Sequence, residues 1–177
     1  MRSIKILFSA ATLVSGFSFV SFITSSNTSA TAIKNCVAAH LRISLGVAEG
    51  AAGTIYHPVV FTNTGLACLI FGVPGIQPVI GGASHSLIAV GPPARNQSMG
   101  EMPAMHVLMT RKSVSAAFAV TESGNYSAGA CRAKNAGGII VTMDSFVTRA
   151  YLPLRISVCT KKSNTSTRLI TFGTAGF

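Results

Sequence analysis

The sequence predicts an all-β fold, a two-sheet antiparallel β-sandwich running from about Cys36 to Phe172. Three observations predict it. "LRISLGV" from Leu41 and "LPLRISV" from Leu152 alternate strictly between apolar and other side chains, the period of a strand with one buried face. Roughly eight or nine short apolar runs are punctuated by Gly- and Pro-containing turns, with no convincing helix between them. Four cysteines follow an export-type leader, and an even count in an exported chain reads as disulfides.

The leader comes first in the chain. Arg2 and Lys5 precede an apolar stretch from Ile6 to Ile23, and a polar run then ends in Ala30-Thr31-Ala32. A basic start, an apolar middle and a small-x-small end make a secretory signal peptide over residues 1–32. The alternative is an uncleaved N-terminal membrane anchor, since the stretch approaches the roughly 18 residues of a credible span. No cysteine stands at its end to carry a lipid. The remaining segment, 33–177, is the length of one domain with a real core.

Within that segment Leu41, Ile43, Leu45 and Val47 form one face of a first strand. "EGAAG" breaks it. Tyr56–Thr62 is apolar on both faces, as a central strand should be. Pro58 there cannot donate a ladder hydrogen bond, so it marks the strand's start or a bulge. Asn63-Thr64-Gly65 turns the chain into a strand over Ala67–Phe71, which Gly72-Val73-Pro74-Gly75 ends. The two runs read as neighbouring core strands.

Short strands follow at Leu87–Val90 and His106–Met109, with a loop over Asn96–Pro103 between them. "SVSAAFAV" from Ser113 tolerates a helix, but its complete alternation of Val114, Ala116, Phe118 and Val120 favours a strand. Residues 124–138 read as a polar loop, Ile139–Met143 as a strand and Lys161–Thr167 as a turn. Leu169–Phe172 closes the sheet.

Removing Arg2 and Lys5 from the 14 basic residues leaves 12 against 4 acids, a net +8. The excess reflects scarce acids more than basic clusters. Such a domain outside the membrane is drawn to anionic partners: cell-envelope polymers, lipid headgroups or another envelope protein. Nucleic acid fits poorly, because the leader points away from it and no stacking aromatics accompany the charges.

Candidate chemistry is sparse. Glu49, Glu101, Glu122 and Asp144 are unpaired in sequence, and no nucleophile elbow, zincin helix or phosphate loop occurs. His40, His57, His85 and His106 read as surface or strand-packing residues, without metal-ligand spacing. No catalytic residue, metal or cofactor is assigned. Asn27, Asn96, Asn125 and Asn164 start N-x-S/T triplets, of which Asn27 would leave with the signal peptide; they read as chance matches outside a eukaryotic secretory pathway. Cys36, Cys68, Cys131 and Cys159 form no C-x-x-C pair, and three disulfide pairings are open; chain entropy does not choose among them.

"GAAGTIYHPVVFTNTG" (Gly50–Gly65), "CLIFGVPG" (Cys68–Gly75) and "VGPPAR" (Val90–Arg95), with the later Cys131 and Cys159, carry a resemblance. The chain resembles the exported actinobacterial domain of unknown function numbered 4232. Val73 and Thr110-Arg111-Lys112 depart from the aromatic and the Pro-Gly common there. The resemblance implies an immunoglobulin-like sandwich and the pairings Cys36–Cys68 and Cys131–Cys159, each closing a loop of about 30 residues and contributing roughly 3–4 kcal/mol.

The function expected is a non-catalytic binding or interaction module, secreted or at the cell surface; the alternative is an envelope hydrolase whose site is assembled from distant residues. If Cys131 and Cys159 are bonded, Arg132, Lys134, Lys161 and Lys162 share one end of the domain and form an anion-facing patch.

Overall fold

A computed structural model describes residues 32–82 and 86–177. The leader expected over residues 1–32 lies outside these save for its last residue, and His85 also lies outside. Ala32–Phe177 forms one compact unit. In chain order its strands are β1 (Leu41–Leu45), β2 (Glu49–Ala51), β3 (Thr54–Asn63), β4 (Cys68–Ile70), β5 (Gly75–Ile80), β6 (Ile88–Ala89) and β7 (Arg95–Asn96). Then come β8 (His106–Leu108), β9 (Ser113–Thr121), β10 (Ala133–Met143), β11 (Phe146–Cys159), β12 (Thr165–Thr167) and β13 (Thr171–Phe172). A single helical turn, α1 (Ala128–Cys131), precedes β10. Among the described residues no helix is long and apolar enough to cross a membrane.

The fold is an all-β sandwich. One sheet runs β1-β3-β9-β12-β7, with β2 extending the ladder on β3 and β13 pairing β9; a second runs β11-β10-β5-β6; β4 and β8 pair separately. Val59 and Phe61 of β3 and Val114, Ala116 and Phe118 of β9 pack against Ile76 of β5, Ile139 and Val141 of β10 and Leu152 of β11. Phe61 and Phe118 are wholly buried, each worth roughly 1.5–3 kcal/mol in apolar burial. The disulfides are Cys36–Cys68 and Cys131–Cys159, the two pairs that the resemblance implies. β7 lies parallel to β12 over two residues, a departure from a purely antiparallel sandwich. It arrives from β6 of the other sheet and is separated in sequence from β12 by residues 97–164, so no hairpin sets its direction.

β9 is buried on both faces. Val114, Ala116, Phe118 and Val120 meet the core, while Ser115, Ala117 and Ala119 lie on the opposite face and are buried too. The C-terminal segment covers that second face. Gly176 N–H donates to Ser115 Oγ at 2.9 Å, and Phe177 meets Tyr56 edge-on at 5.4 Å between ring centroids. A Cβ on Gly176 would stand 3.1 Å from Ala117 Cα, and its φ of +84° also favours glycine. Small side chains on β9 and glycine in the segment let two backbones approach.

Pro58 lies inside β3, in register with Ala117 of β9, and not at a strand start or a bulge. Its carbonyl accepts from Gly46 N–H at 2.8 Å, so its nitrogen faces the same neighbour. There β1 has ended at Leu45 and β2 resumes only at Glu49. The missing donor points at a gap in the adjacent ladder, where nothing needs it. Pro78 in β5 follows the same rule: Val90 N–H donates to its carbonyl just past the end of β6.

Other expectations are corrected by pairing. β3 and β4 adjoin in sequence but not in the sheets, since β4 pairs β8. Val47 is 84% exposed because β1 stops before it. The loop expected over 124–138 contains α1 and the first half of β10, held against β11 from Ala133↔Cys159 onward with a register shift between Ala136 and Gly138. Gly138 admits no side chain there, because a Cβ would enter the Tyr151 ring. The turn expected over 161–167 contains β12.

Candidate functional site

The stapled end of the β10–β11 ladder carries the cations singled out in the sequence. Arg132 caps α1 in the left-handed region at φ +49°, which swings the chain from the helical turn into β10. Thr160 N–H donates to the Cys131 carbonyl at 2.9 Å, and Lys161 N–H reaches the same oxygen at 3.3 Å. Thr160 Oγ1 donates to the Arg132 carbonyl at 2.9 Å. Those bonds and the Cys131–Cys159 bridge hold segments 131–134 and 159–162 side by side. Arg132, Lys134, Lys161 and Lys162 are all exposed. Lys162 Nζ sits 4.4 Å over the Tyr126 ring, a cation–π contact worth about 0.5–1 kcal/mol at an exposed site. Neither segment contains an acid.

Asn164 organises the same end from inside. It is 3% exposed. Its Oδ1 accepts from Cys159 N–H at 2.9 Å, and its Nδ2 donates to the Thr121 and Ser157 carbonyls. Its amide is therefore consumed by structure and is not an accessible glycan acceptor, unlike the exposed Asn96 and Asn125.

A cleft of about 410 Å³ opens at one end of the sandwich between β3, β9 and β11; Ile55, His57, Glu122, Ser123, Arg155 and Ser157 are among its lining residues. This is where distant residues come nearest to hydrolase chemistry. The Ser123 hydroxyl, however, bonds Ser157 Oγ at 2.9 Å, and the His57 ring packs near Phe118 at 6.4 Å between centroids. Burial holds the His57 pKa below 6.5. The serines are paired with each other, and His57 makes no hydrogen bond among the described residues, so the nucleophile–base–orienter relay of a hydrolase is not assembled.

A larger cleft, about 590 Å³, lies against the Gly72–Gly75 turn and is lined also by Asn35, Asn96, Met143, Asp144, Ser145 and Thr167. Among the described residues Asp144 is its one charged lining residue. The Thr167 and Ser145 hydroxyls are buried without a hydrogen-bond partner among the described residues. Among the described residues such a cleft offers hydrogen bonds and one negative charge, but no imidazole or amine to act as a base.

The remaining expectations are placed as follows. His106 is buried, with Nε2 3.1 Å from the Ile170 carbonyl and its ring edge-on to Phe172 at 4.6 Å. Gly65 packs against His40. Among the described residues no three His, Cys, Asp or Glu side chains gather to hold a metal. Sequence reasoning missed both clefts, because the walls of the smaller come from three separate segments and those of the larger from six. The only local hint was the Gly-x-Pro-Gly run that lines the larger one.

Fold and stapled end together define a small disulfide-braced β-sandwich domain. The family comparison is more specific: residues 36–173 match the model of the domain of unknown function DUF4232, and the chain belongs to that family. No curated protein and no solved structure matches the chain.

Proposed function

We propose that the protein is an exported, non-catalytic binding module that associates with anionic polymers or lipid headgroups of the cell envelope through Arg132, Lys134, Lys161 and Lys162. The observation that carries this reading is the convergence of four exposed cations on two acid-free segments joined by Cys131–Cys159. A rigid backbone presenting several like charges suits repeating phosphate or carboxylate groups, because each added contact orders a side chain but no backbone. The hydrolase reading is less well supported, since the serine of the smaller cleft is bonded to serine and not to His57. The leader reading accompanies the proposal: mass spectrometry of exported protein is expected to find Ile33 at the amino terminus, and an intact Met1 in membranes would favour the anchor.

The test is retention on anionic vesicles and, separately, on purified cell envelope across a salt series. The Debye length falls from about 10 Å at 0.1 M to about 3 Å at 1 M, so retention is expected to collapse over that range. Changing all four residues to Ser is expected to abolish it at low salt while leaving the circular dichroism spectrum intact. Equal retention by the fourfold variant, or indifference to salt, would reduce the charge to a solubility feature. The vesicle and envelope arms separate headgroups from wall polymers as the anion source.

A further inference from the structure

We propose that Met99, Met102 and Met105 form a thioether site for a soft monovalent cation, Cu(I), with Ag(I) sharing its chemistry. Of the 6 methionines in the chain, four lie between positions 99 and 109. The core uses Met143, but these four face solvent: Met99 is 82%, Met102 91%, Met105 68% and Met109 55% exposed. Packing does not account for them, because a surface loop gains nothing from large apolar side chains left in water. Their common chemical property is a polarizable sulfur, and thioethers select Cu(I) over harder ions such as Ca²⁺ and over Zn²⁺, which prefers imidazole and thiolate.

Placement supports a shared ligand. The three sit three residues apart, in the loop between β7 and β8. The loop's base is pinned: Ser98 N–H donates to Asn96 Oδ1 at 2.8 Å, Leu169 N–H donates to Ser98 Oγ at 3.3 Å, and Glu101 N–H closes a turn onto the Ser98 carbonyl at 3.1 Å. Residues three apart in a chain are separated by at most about 10–11 Å even when extended, and Met99 and Met105, six apart, by at most about 20–22 Å, a span that the turn from Ser98 to Glu101 shortens. Unbranched Met side chains, with three rotatable bonds each, can converge across that span. Glu101 lies within the same turn and offsets the repulsion that a basic protein exerts on a cation. Competing ligands are withheld. His106, next to Met105, is buried against Ile170 and Phe172, and every cysteine is in a disulfide. The soft donors of the site are therefore thioethers only. Since a thioether has no proton to lose, its affinity should not vary with pH as an imidazole or thiolate site does.

The experiment uses the full chain with disulfides intact. Ag(I) is titrated by calorimetry, and Cu(I) anaerobically against a chromophoric chelator, while Met methyl resonances are followed by NMR. One ion per chain is expected, with shifts of the Met99, Met102 and Met105 methyls and an unchanged affinity between pH 5 and pH 8. Replacing all three by Leu preserves size and apolarity at exposed positions, so folding is retained. That variant is expected to lose more than about 100-fold in affinity, beyond what loss of a supporting group alone costs a metal site. Absence of Ag(I) and Cu(I) binding, equal affinity in the Leu variant, or an affinity that falls from pH 8 to pH 5 would overturn the proposal. The first result would leave a protein-docking surface as the use of these side chains.

Discussion

At the scale of single residues, buried amides and one imidazole set the local stability. Asn63 is wholly buried. Its Nδ2 donates to the Leu66 and Leu108 carbonyls at 2.7 and 2.8 Å, and its Oδ1 accepts from Gly65 N–H at 2.8 Å. One side chain thus closes the Asn-Thr-Gly turn and ties it to β8. Asn63→Ala leaves the buried Leu108 carbonyl without this donor and is expected to cost about 2–3 kcal/mol. The denaturation midpoint should fall at an unchanged slope; a shift under about 0.5 kcal/mol would show the amide to be dispensable. His57 makes stability depend on pH. Its folded pKa lies below 6.5 because burial disfavours the imidazolium, so the unfolded chain binds more protons near that pH. Stability is complete above pH 6.5 and is lost as pH falls toward the folded value. Glu122 and Arg155 line the same cleft. His57→Gln is expected to flatten the fall in thermal midpoint between pH 7 and pH 5. Parallel curves for parent and variant would assign that fall to other groups.

At the scale of elements, β9 is the strand most constrained from both sides. Its alternation was legible from the residues, and the inward set Val114, Ala116, Phe118 and Val120 is the one expected. The reason for Ser115, Ala117 and Ala119 on the other face was not legible, because the segment that covers them lies some sixty residues away in sequence. Ala117→Val is a favourable change by strand propensity alone. Here it places two methyls beneath Gly176, so the expected outcome is a loss of about 1–3 kcal/mol from overpacking. The Gly176 amide should exchange faster and the Tyr56–Phe177 contact should vanish from NOE spectra. A neutral or stabilising effect would mean the covering segment is not held. β10 teaches the converse. Its half from Ile139 reads as a strand because it is apolar, whereas Ala133–Gly138 is small and polar and becomes a strand only through β11.

At the scale of the whole molecule, the salt response expected of the patch reflects the net +8 of residues 33–177 as much as the four cations at the stapled end. The residues alone determined that the apolar alternating segments are extended, which face of β1, β9 and β11 turns inward, and that the cysteines belong to an oxidised domain, but not the polar strands β2, β12 and the first half of β10. These follow from period-two patterning and composition, which are local properties. Tertiary structure alone decided that β4 leaves β3 for β8 and that Pro58 faces a gap in the ladder. It also decided that Ser123 bonds Ser157 instead of His57, and that segments 131–134 and 159–162 lie side by side. The physical reason is that pairing joins positions dozens of residues apart, while loop-closure entropy changes too slowly with length to prefer one partner over another.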